Sequence, residues 1–173
     1  MELEECLSIV TAGEDLSLAQ SYGVADSLAS ALVDPWLKGE FLTQLARKGE
    51  SPQEVAGLAK RYRELARDPG LQEWQNRAID VCGTGGDKQH TFNISTTVTF
   101  IVAAAGIPVF KHGNRSITSK CGSSDLLEAL GVTIMGDDDL LKASMRELGF
   151  CFMFAPAFHP AFKEIVPVRQ ALA

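Results

Sequence analysis

The sequence predicts two domains: an all-α N-terminal domain over residues 1–70 and an α/β domain with a parallel sheet over residues 71–173. Two observations carry this prediction. Before Ala78, apolar residues recur at helical spacing and no alternating run rich in Val or Ile occurs. From Ala78 onward, short apolar runs alternate with helical stretches, which is the pattern of βαβ units.

Helices account for the whole N-terminal domain in this prediction. They cover residues 2–11, 19–32, 35–45 and 52–66. Asp15 or Ser17 is expected to cap the second helix. The fourth helix has the pattern of a capping box, in which Ser51 precedes Pro52 at the first helical position and Glu54 lies three residues on.

The second domain is predicted to contain four strands separated by helices. The strands cover residues 79–82, 107–110, 132–135 and 150–154, and the helices cover residues 94–105, 123–130 and 137–148. In parallel sheets of this kind, ligands lie beyond the carboxyl ends of the strands, in the loops that lead to helices. Those loops have the most unusual composition in the chain, so we expect the functional site there.

Composition and charge exclude several classes of protein. The chain has 173 residues, 46% of them apolar, and a net charge of −6, so it is neither disordered nor a good general binder of nucleic acid or anionic membrane. Its acidic N-terminus lacks the basic start of a signal peptide. The longest apolar run, near Val98–Phe110, is shorter than the ~20 residues of a membrane helix. We therefore expect a cytoplasmic protein with reduced cysteines.

A glycine-rich loop follows the first predicted strand and consists of Gly83, Thr84, Gly85, Gly86 and Asp87. Its uncovered N–H groups can form a nest for phosphate oxygens. Asn93, Ser95 and Thr96 then open an apolar helix, and a helix N-terminus favours anions. The alternative interpretation is a tight turn followed by a simple N-cap at Asn93.

The next strand leads into a loop that contains Lys111, Arg115 and Lys120, three cations within ten residues. Together with glycine and serine, this composition suits a phosphate-bearing ligand. A solvated basic loop is the alternative, whereas an RNA-binding patch is disfavoured because no aromatic residues interleave with the cations. Ser123 or Ser124 is a candidate cap for the following helix.

Two further features follow later in the chain. His159 beside a proline, and Arg169 ten residues on, are candidate ligand contacts, although a lone histidine is more often structural. The acidic run 137–139 is interpreted as the cap and first turn of a helix rather than as a metal site.

Taken in order, these loops resemble those of the anthranilate phosphoribosyltransferases of tryptophan biosynthesis. The resemblance is carried by DVCGTGGDKQHTFNIST, KHGNRSITSKCGSSDLLEALG and FAPAFHPAFKEIVPVR, and the segments GEDLS and ARKGESPQEVAGLAK are similar to the helical domain of that family. The similarity extends over nearly the whole chain. Pyrimidine nucleoside phosphorylases share the architecture, but their phosphate loops differ.

The resemblance implies transfer of the phosphoribosyl group of phosphoribosyl pyrophosphate (PRPP) to anthranilate, giving N-(5-phosphoribosyl)anthranilate and pyrophosphate, with Mg²⁺. The implied PRPP-binding residues are Gly83, Thr84, Gly85, Gly86, Asp87, Asn93, Ser95, Thr96, Lys111, Ser119, Gly122 and Ser123. The implied anthranilate-binding residues are His112, Asn114, His159 and Arg169, with Arg169 facing the carboxylate. Ser95 is also implied as a contact of Mg²⁺.

The resemblance further implies a nucleoside phosphorylase/phosphoribosyltransferase type of fold, with the helical domain mediating homo-oligomerisation and forming a wall of the acceptor site. No catalytic group is expected beyond those that position the substrates and stabilise charge. The bond from ribose C1 to pyrophosphate breaks early, so cations, N–H groups and Mg²⁺ can stabilise the leaving group.

Two departures from the family pattern matter. Cys121 and the stretch Lys88-Gln89-His90 replace residues that are usually smaller or hydroxylated. Family members are also about twice as long, and their second half carries an adjacent acidic pair that binds Mg²⁺. We therefore expect an incomplete α/β domain, a truncated or fragment form with little or no turnover alone, and association through an exposed sheet edge. The alternative is a non-catalytic PRPP-binding or oligomerisation module derived from the family.

Overall fold

The computed structural model describes residues 2–83, 92–115, 121–134 and 137–172. In chain order its helices and strands are α1 (Leu3–Thr11), α2 (Leu18–Ala29), α3 (Pro35–Lys48), α4 (Pro52–Glu64), β1 (Ile79–Asp80), α5 (Ile94–Ala104), β2 (Val109–Gly113), α6 (Ser123–Ala129), α7 (Asp138–Leu148), β3 (Phe150–Phe154), α8 (Ala155–Phe158) and α9 (Val166–Ala171). The ends of the predicted helices differ from these by at most three residues. Within the described residues, no helix is both long and apolar enough to cross a membrane.

By their contacts, the residues form two compact units, 1–66 with 159–173, and 67–158. The sequence-based division at residue 70 assigns the C-terminal segment to the α/β domain, whereas in the structure this segment packs with the first helices. The reason is apolar packing: Ile165 belongs to the core of the helical unit, and a β-carbon on Gly39 of α3 would lie 3.6 Å from Cγ1 of Val168 in α9.

Two helices of the helical unit begin where the sequence predicts their capping residues. Ser17 caps α2 by accepting the Gln20 N–H at 3.3 Å, while the Gln20 side chain accepts the Ser17 N–H at 2.7 Å. Ser51 and Glu54 form the same reciprocal pair at the start of α4. The core of this unit consists of Leu3, Cys6, Val10, Leu16, Val24, Leu28, Phe41, Leu45 and Ile165.

Among the described residues of the second unit, three strands form a parallel sheet in the order β1-β2-β3. The predicted combination of an all-α domain followed by an α/β domain with a parallel sheet is therefore confirmed. In the sheet, Asp80 of β1 lies beside Phe110 of β2, which lies beside Cys151 of β3. The strand β1 is shorter than the predicted 79–82.

The predicted strand at 132–135 is wrong for Val132–Ile134, which form no strand; Met135 lies outside the described residues. Gly131, with a φ of 84°, turns the chain after α6, and α7 begins at Asp138, so these residues form a short connection between two helices. Ile134 is nevertheless buried, because it packs beside Leu127 in a small core cluster. Because this connection is partly buried, its residues are apolar, and in the sequence they therefore resemble a strand.

Alternating side chains of β2 point to opposite faces of the sheet. Phe110 and His112 share one face, which packs in a core with Cys151 of β3 and Met145 of α7. Val109 and Lys111 share the other face, beside which α5 and α6 lie. On that side, the rings of Phe100 in α5 and Phe150 in β3 meet edge to face at 5.3 Å.

Candidate functional site

The glycine-rich loop begins against the first turn of α5. A β-carbon on Gly83 would lie 3.1 Å from the hydroxyl oxygen of Ser95, so a residue without a side chain lets the backbone after β1 lie close to this hydroxyl. Among the predicted phosphate-binding residues, Thr84, Gly85, Gly86 and Asp87 lie outside the described residues. The described start of the loop already places the carboxyl end of β1 beside the N-terminus of α5.

Asn93 connects the N-termini of α5 and α6. It is the N-cap residue of α5 by backbone position, but its side chain makes no capping hydrogen bond. Its Nδ2 instead donates to the carbonyl oxygen of Gly122 at 3.5 Å and lies 3.7 Å from Sγ of Cys121. The alternative of a simple N-cap is therefore wrong for the side chain, which joins two helix starts that are far apart in sequence.

The end of β2 lies close to the start of α6. The Ser123 hydroxyl donates to the carbonyl oxygen of Asn114 at 3.3 Å, and a β-carbon on Gly113 would overlap that hydroxyl. Gly122 occupies the N-cap position of α6, so neither Ser123 nor Ser124 does. Predicted Ser119 lies outside the described residues.

Two buried hydroxyls accompany these helix starts. Thr96 of α5 is 1% exposed and Ser124 of α6 is 0% exposed, and neither hydroxyl has a hydrogen-bond partner among the described residues. Such groups are normally satisfied, because burying a hydroxyl without a partner costs about 1–3 kcal/mol. With the N–H groups of two helix N-termini, they form a region rich in donors at the carboxyl edge of the sheet.

Lys111 is buried beneath this edge. It is 2% exposed, and its Nζ donates to the carbonyl oxygen of His112 at 2.8 Å. Burial lowers the pKa of its ammonium group, and the nearby Asp80 carboxylate partly offsets this effect. Lys111, a predicted phosphate contact, is thus hydrogen-bonded within its own strand in this structure.

His112 lies on the opposite face from Lys111, where its Nδ1 lies 2.5 Å from Oδ2 of Asp80. Burial of Asp80 would raise the pKa of its carboxyl group. The hydrogen bonds that His112 makes to this carboxyl group outweigh burial and hold that pKa below its usual value. The sequence analysis missed Asp80, although an acidic residue at the carboxyl end of a strand was the available signal.

Arg115 does not act as a free phosphate-binding cation, contrary to its grouping with Lys111 and Lys120. Its guanidinium group binds both carboxylate oxygens of Glu128, at 2.7 and 2.9 Å, and also Asp125 at 3.2 Å. These carboxylates lie one turn apart on α6 and neutralise the arginine. Lys120 lies outside the described residues.

The four predicted anthranilate-binding residues divide between the two units. His112 and Asn114 belong to the α/β unit, whereas His159 and Arg169 belong to the helical unit. The ring of His159 meets that of Phe162 edge to face, with centroids 6.2 Å apart. Arg169 is exposed on α9.

The acidic run of the sequence is a helix cap, as predicted. Asp137 accepts the Leu140 N–H at 2.8 Å, and Asp138 and Asp139 lie in the first turn of α7. Across the described part of the chain, no three histidine, cysteine, aspartate or glutamate side chains gather as a metal site would require. The Ser95 hydroxyl, beside Gly83, remains the predicted metal contact within the described residues.

Comparison with known proteins gives two matching family models. The helical bundle domain of a glycosyl transferase family matches residues 4–66, and the α/β domain of a glycosyl transferase family matches residues 75–173. The anthranilate phosphoribosyltransferase of Chloroflexus aurantiacus is 45% identical over 99% of this chain and 50% of its own length. That of Anaeromyxobacter sp. (strain Fw109-5) is 42% identical over 98% of this chain and 50% of its own length.

Solved structures show the same fold. The anthranilate phosphoribosyltransferase of Thermus thermophilus superposes with a TM-score of 0.86 at 39% identity, over 96% of this chain and 50% of that one. The enzyme of Saccharomyces cerevisiae in complex with PRPP and Mg superposes with a TM-score of 0.81 at 22% identity, over 98% of this chain and 51% of that one. The chain spans about half the length of the curated relatives it matches.

Proposed function

The chain belongs to the glycosyl transferase family whose helical-bundle and α/β domains it matches, and from this premise we propose that it binds PRPP. We propose further that it takes part in transferring the phosphoribosyl group to anthranilate, giving N-(5-phosphoribosyl)anthranilate and pyrophosphate. The names of its relatives at 42–45% identity support this activity.

The observation that carries the proposal is the meeting of two helix N-termini at one edge of the sheet. Asn93 bridges the starts of α5 and α6, while Gly83 and Gly113 bring the ends of β1 and β2 against Ser95 and Ser123. Helix N-termini and uncovered amides bind phosphate oxygens. Two of them meeting at one edge suit a ligand with more than one phosphate group.

The reaction needs charge stabilisation more than an acid or base. When the bond between ribose C1 and pyrophosphate breaks, its electron pair leaves with pyrophosphate and positive charge develops on the ribose. Backbone N–H groups near Gly83 and Ser95, and the first turns of α5 and α6, would stabilise the leaving group by hydrogen bonds. The amine of anthranilate is already a nucleophile. The site would therefore accelerate the transfer further by holding this amine near ribose C1.

Mg²⁺ fits this proposal through Ser95. Its hydroxyl lies beside Gly83 at the start of the loop, where it would supply one of the oxygen ligands that Mg²⁺ prefers. Phosphate oxygens of the substrate and water would provide further oxygen ligands. When bound, Mg²⁺ neutralises part of the charge of the departing pyrophosphate.

For the acceptor side we propose the four anthranilate-binding residues that the resemblance implies. His112 lies in β2, one residue before its carboxyl end, and Asn114 follows the strand. We assign His159 and Arg169 to the same ligand. The exposed guanidinium group of Arg169 is suited to bind the anthranilate carboxylate with two hydrogen bonds.

We also assign homo-oligomerisation to the helical domain. Leu32 is 97% exposed and Trp36 is 72% exposed at the α2–α3 connection and the start of α3. Aromatic and aliphatic residues exposed close together in the chain are typical of protein interfaces.

The test mixes the chain with PRPP, Mg²⁺ and anthranilate, follows the loss of anthranilate fluorescence, and measures PRPP binding by calorimetry. We expect PRPP binding that depends on Mg²⁺, with slow consumption of anthranilate. The alternative, a non-catalytic PRPP-binding or oligomerisation module, is favoured by the half-length match to the relatives and predicts PRPP binding without consumption. Absence of PRPP binding would contradict the proposed transfer function.

A further inference from the structure

A cavity of about 340 Å³ lies at the amino edge of the sheet, where the strands begin, opposite the carboxyl edge to which PRPP is assigned. Pro108 and Gly149, which line it, directly precede β2 and β3. The two strand starts are joined there, because the Val109 N–H donates to the carbonyl oxygen of Gly149 at 2.8 Å. All lining residues lie within the compact unit 67–158, so this unit forms the cavity by itself.

Part of the lining is apolar and held in place by core packing. Trp74 is 5% exposed and Met145 is 3% exposed, and both belong to the core cluster that contains Leu71. Close-packed side chains of this kind keep their positions, so this wall is formed before any ligand arrives. The volume of the cavity lies within the range of about 300–1,000 Å³ that is usual for sites of small molecules.

Two guanidinium groups, those of Arg77 and Arg146, line the same cavity. Arg77 is exposed and makes no ion pair with another described residue. Nη2 of Arg146 lies 3.9 Å from Oε2 of Glu73, and both of these side chains are more than half exposed. So long and exposed an ion pair contributes little, which leaves the guanidinium group of Arg146 available to a carboxylate from solution.

We propose that this cavity is a binding site for a small carboxylic acid that has an apolar body. Arg77 and Arg146 hold its carboxylate, because a guanidinium group can donate two parallel hydrogen bonds to such a group. The apolar body lies against Trp74 and Met145. Two guanidinium groups and the carboxylate of Glu73 leave one net positive charge, which matches a single carboxylate and disfavours a polyphosphate. The site uses none of the residues assigned to PRPP or anthranilate.

The experiment titrates benzoate, a carboxylic acid with one apolar ring, into the ¹⁵N-labelled chain at constant pH and ionic strength. The readout is the indole N–H resonance of Trp74. The chain has two tryptophans, so the variant Trp36→Phe assigns the two indole resonances. We expect a saturable shift of the Trp74 resonance with a Kd of about 1 mM or lower. Benzamide has nearly the same shape without the charge and should bind about 10-fold more weakly or not at all.

Substitution of either arginine tests which groups hold the carboxylate. Arg77→Gln and Arg146→Gln should each raise the Kd of benzoate about 10-fold, which corresponds to the loss of a charge-assisted hydrogen bond. Arg63→Gln is the matched control, because it removes an exposed arginine from α4 in the other unit and should leave the Kd unchanged. Both cavity arginines are exposed, and a backbone amide spectrum shows that each variant retains the fold.

A Trp74 resonance that does not respond to benzoate would overturn the inference, as would equal affinities for benzoate and benzamide or an unchanged Kd in both cavity variants. Because benzoate also resembles the proposed acceptor, Arg169→Ala is titrated as well and should leave the Trp74 shift intact. Loss of that shift in Arg169→Ala would assign the response to the acceptor site instead. None of these measurements uses PRPP, so their failure is distinct from failure of the proposed function.

Discussion

Gly113, at the end of β2, lies so close to Ser123, in the first turn of α6, that a β-carbon on the glycine would overlap the serine hydroxyl. The same β-carbon would lie 2.7 Å from the ring of Phe152 in β3. Because the ring of Phe152 belongs to a core cluster, it cannot move aside for a β-carbon without a cost in free energy. The glycine therefore allows the strand end, the neighbouring strand and the helix start to meet.

Gly113→Ala should destabilise the chain by about 1–3 kcal/mol, the usual cost of overpacking. The measurement is the free energy of unfolding in urea. Gly23→Ala is the matched control, because a β-carbon at Gly23 in α2 would meet nothing within 4 Å. It should stabilise the chain by about 0.5–1 kcal/mol. Equal effects of the two variants would show that the close approach at Gly113 is not as described.

The buried carboxylate of Glu54 predicts a pH-dependent contribution to stability. Its side chain accepts the N–H groups of Leu16 at 2.9 Å and Ser51 at 2.7 Å and binds Nζ of Lys48 at 2.9 Å. Burial would raise the pKa of Glu54, but these partners hold it below its usual value. A lowered pKa in the folded state means that the contribution is complete above the unfolded value and is lost as the pH falls through the folded value.

Glu54→Gln should accordingly cost about 1–3 kcal/mol at neutral pH, and the difference from the unsubstituted chain should shrink below about pH 4. Denaturant unfolding at a series of pH values measures this difference. The exposed Glu50→Gln serves as control and should change stability by less than about 0.5 kcal/mol. A difference that stays constant from neutral to acidic pH would argue against the ionised, hydrogen-bonded Glu54.

Replacement of Arg169 tests the assignment of the acceptor site. Because the guanidinium group is proposed to bind the anthranilate carboxylate, Arg169→Ala should raise the KM or Kd of anthranilate about 10-fold or more, the loss of one or two charge-assisted hydrogen bonds. The affinity for PRPP should change less than about 2-fold. Lys163→Ala, which removes an exposed cation of the same C-terminal segment, is the control. Equal effects of Arg169→Ala on both substrates would refute the role.

The outward face of α5 predicts a second self-association contact, separate from the one proposed for the helical domain. Ile101 is 63% exposed there, and Ile94 is 50% exposed two turns earlier. Burial of one isoleucine contributes about 1.5–3 kcal/mol, so Ile101→Gln should weaken self-association about 10-fold or more in analytical ultracentrifugation. Thr97→Gln on the same helix removes no apolar surface of this size and should have little effect. An unchanged association constant for Ile101→Gln would place the contact elsewhere.

Local signals predicted most of the fold. Ser17 and Ser51 cap helices where their spacing from Gln20 and Glu54 requires it, because a capping box depends on residues only three apart. The strand around Ile134 was predicted wrongly, since a short apolar run is equally suited to a buried loop. The length of the run and its flanking residues could not distinguish a strand from a buried loop.

Contacts between distant segments were beyond the reach of sequence reasoning. The pairing of Arg115 with Glu128 depends on how α6 follows the loop, and that of Asp80 with His112 depends on the register of β1 and β2. Gly83 was recognisable as part of a glycine-rich loop, whereas Gly113 was not singled out. Which side chain each would lie against became apparent only in three dimensions.

The meeting of the two helix N-termini on one polyphosphate is tested most directly by titrating PRPP with Mg²⁺ into the ¹⁵N-labelled chain and following backbone amide shifts. We expect the amides of 83–87, 93–96, 111–114 and 119–123 to shift together with a single Kd, while those of α1 stay unchanged. Shifts in only one of these segments, or in different segments at different PRPP concentrations, would contradict a shared site.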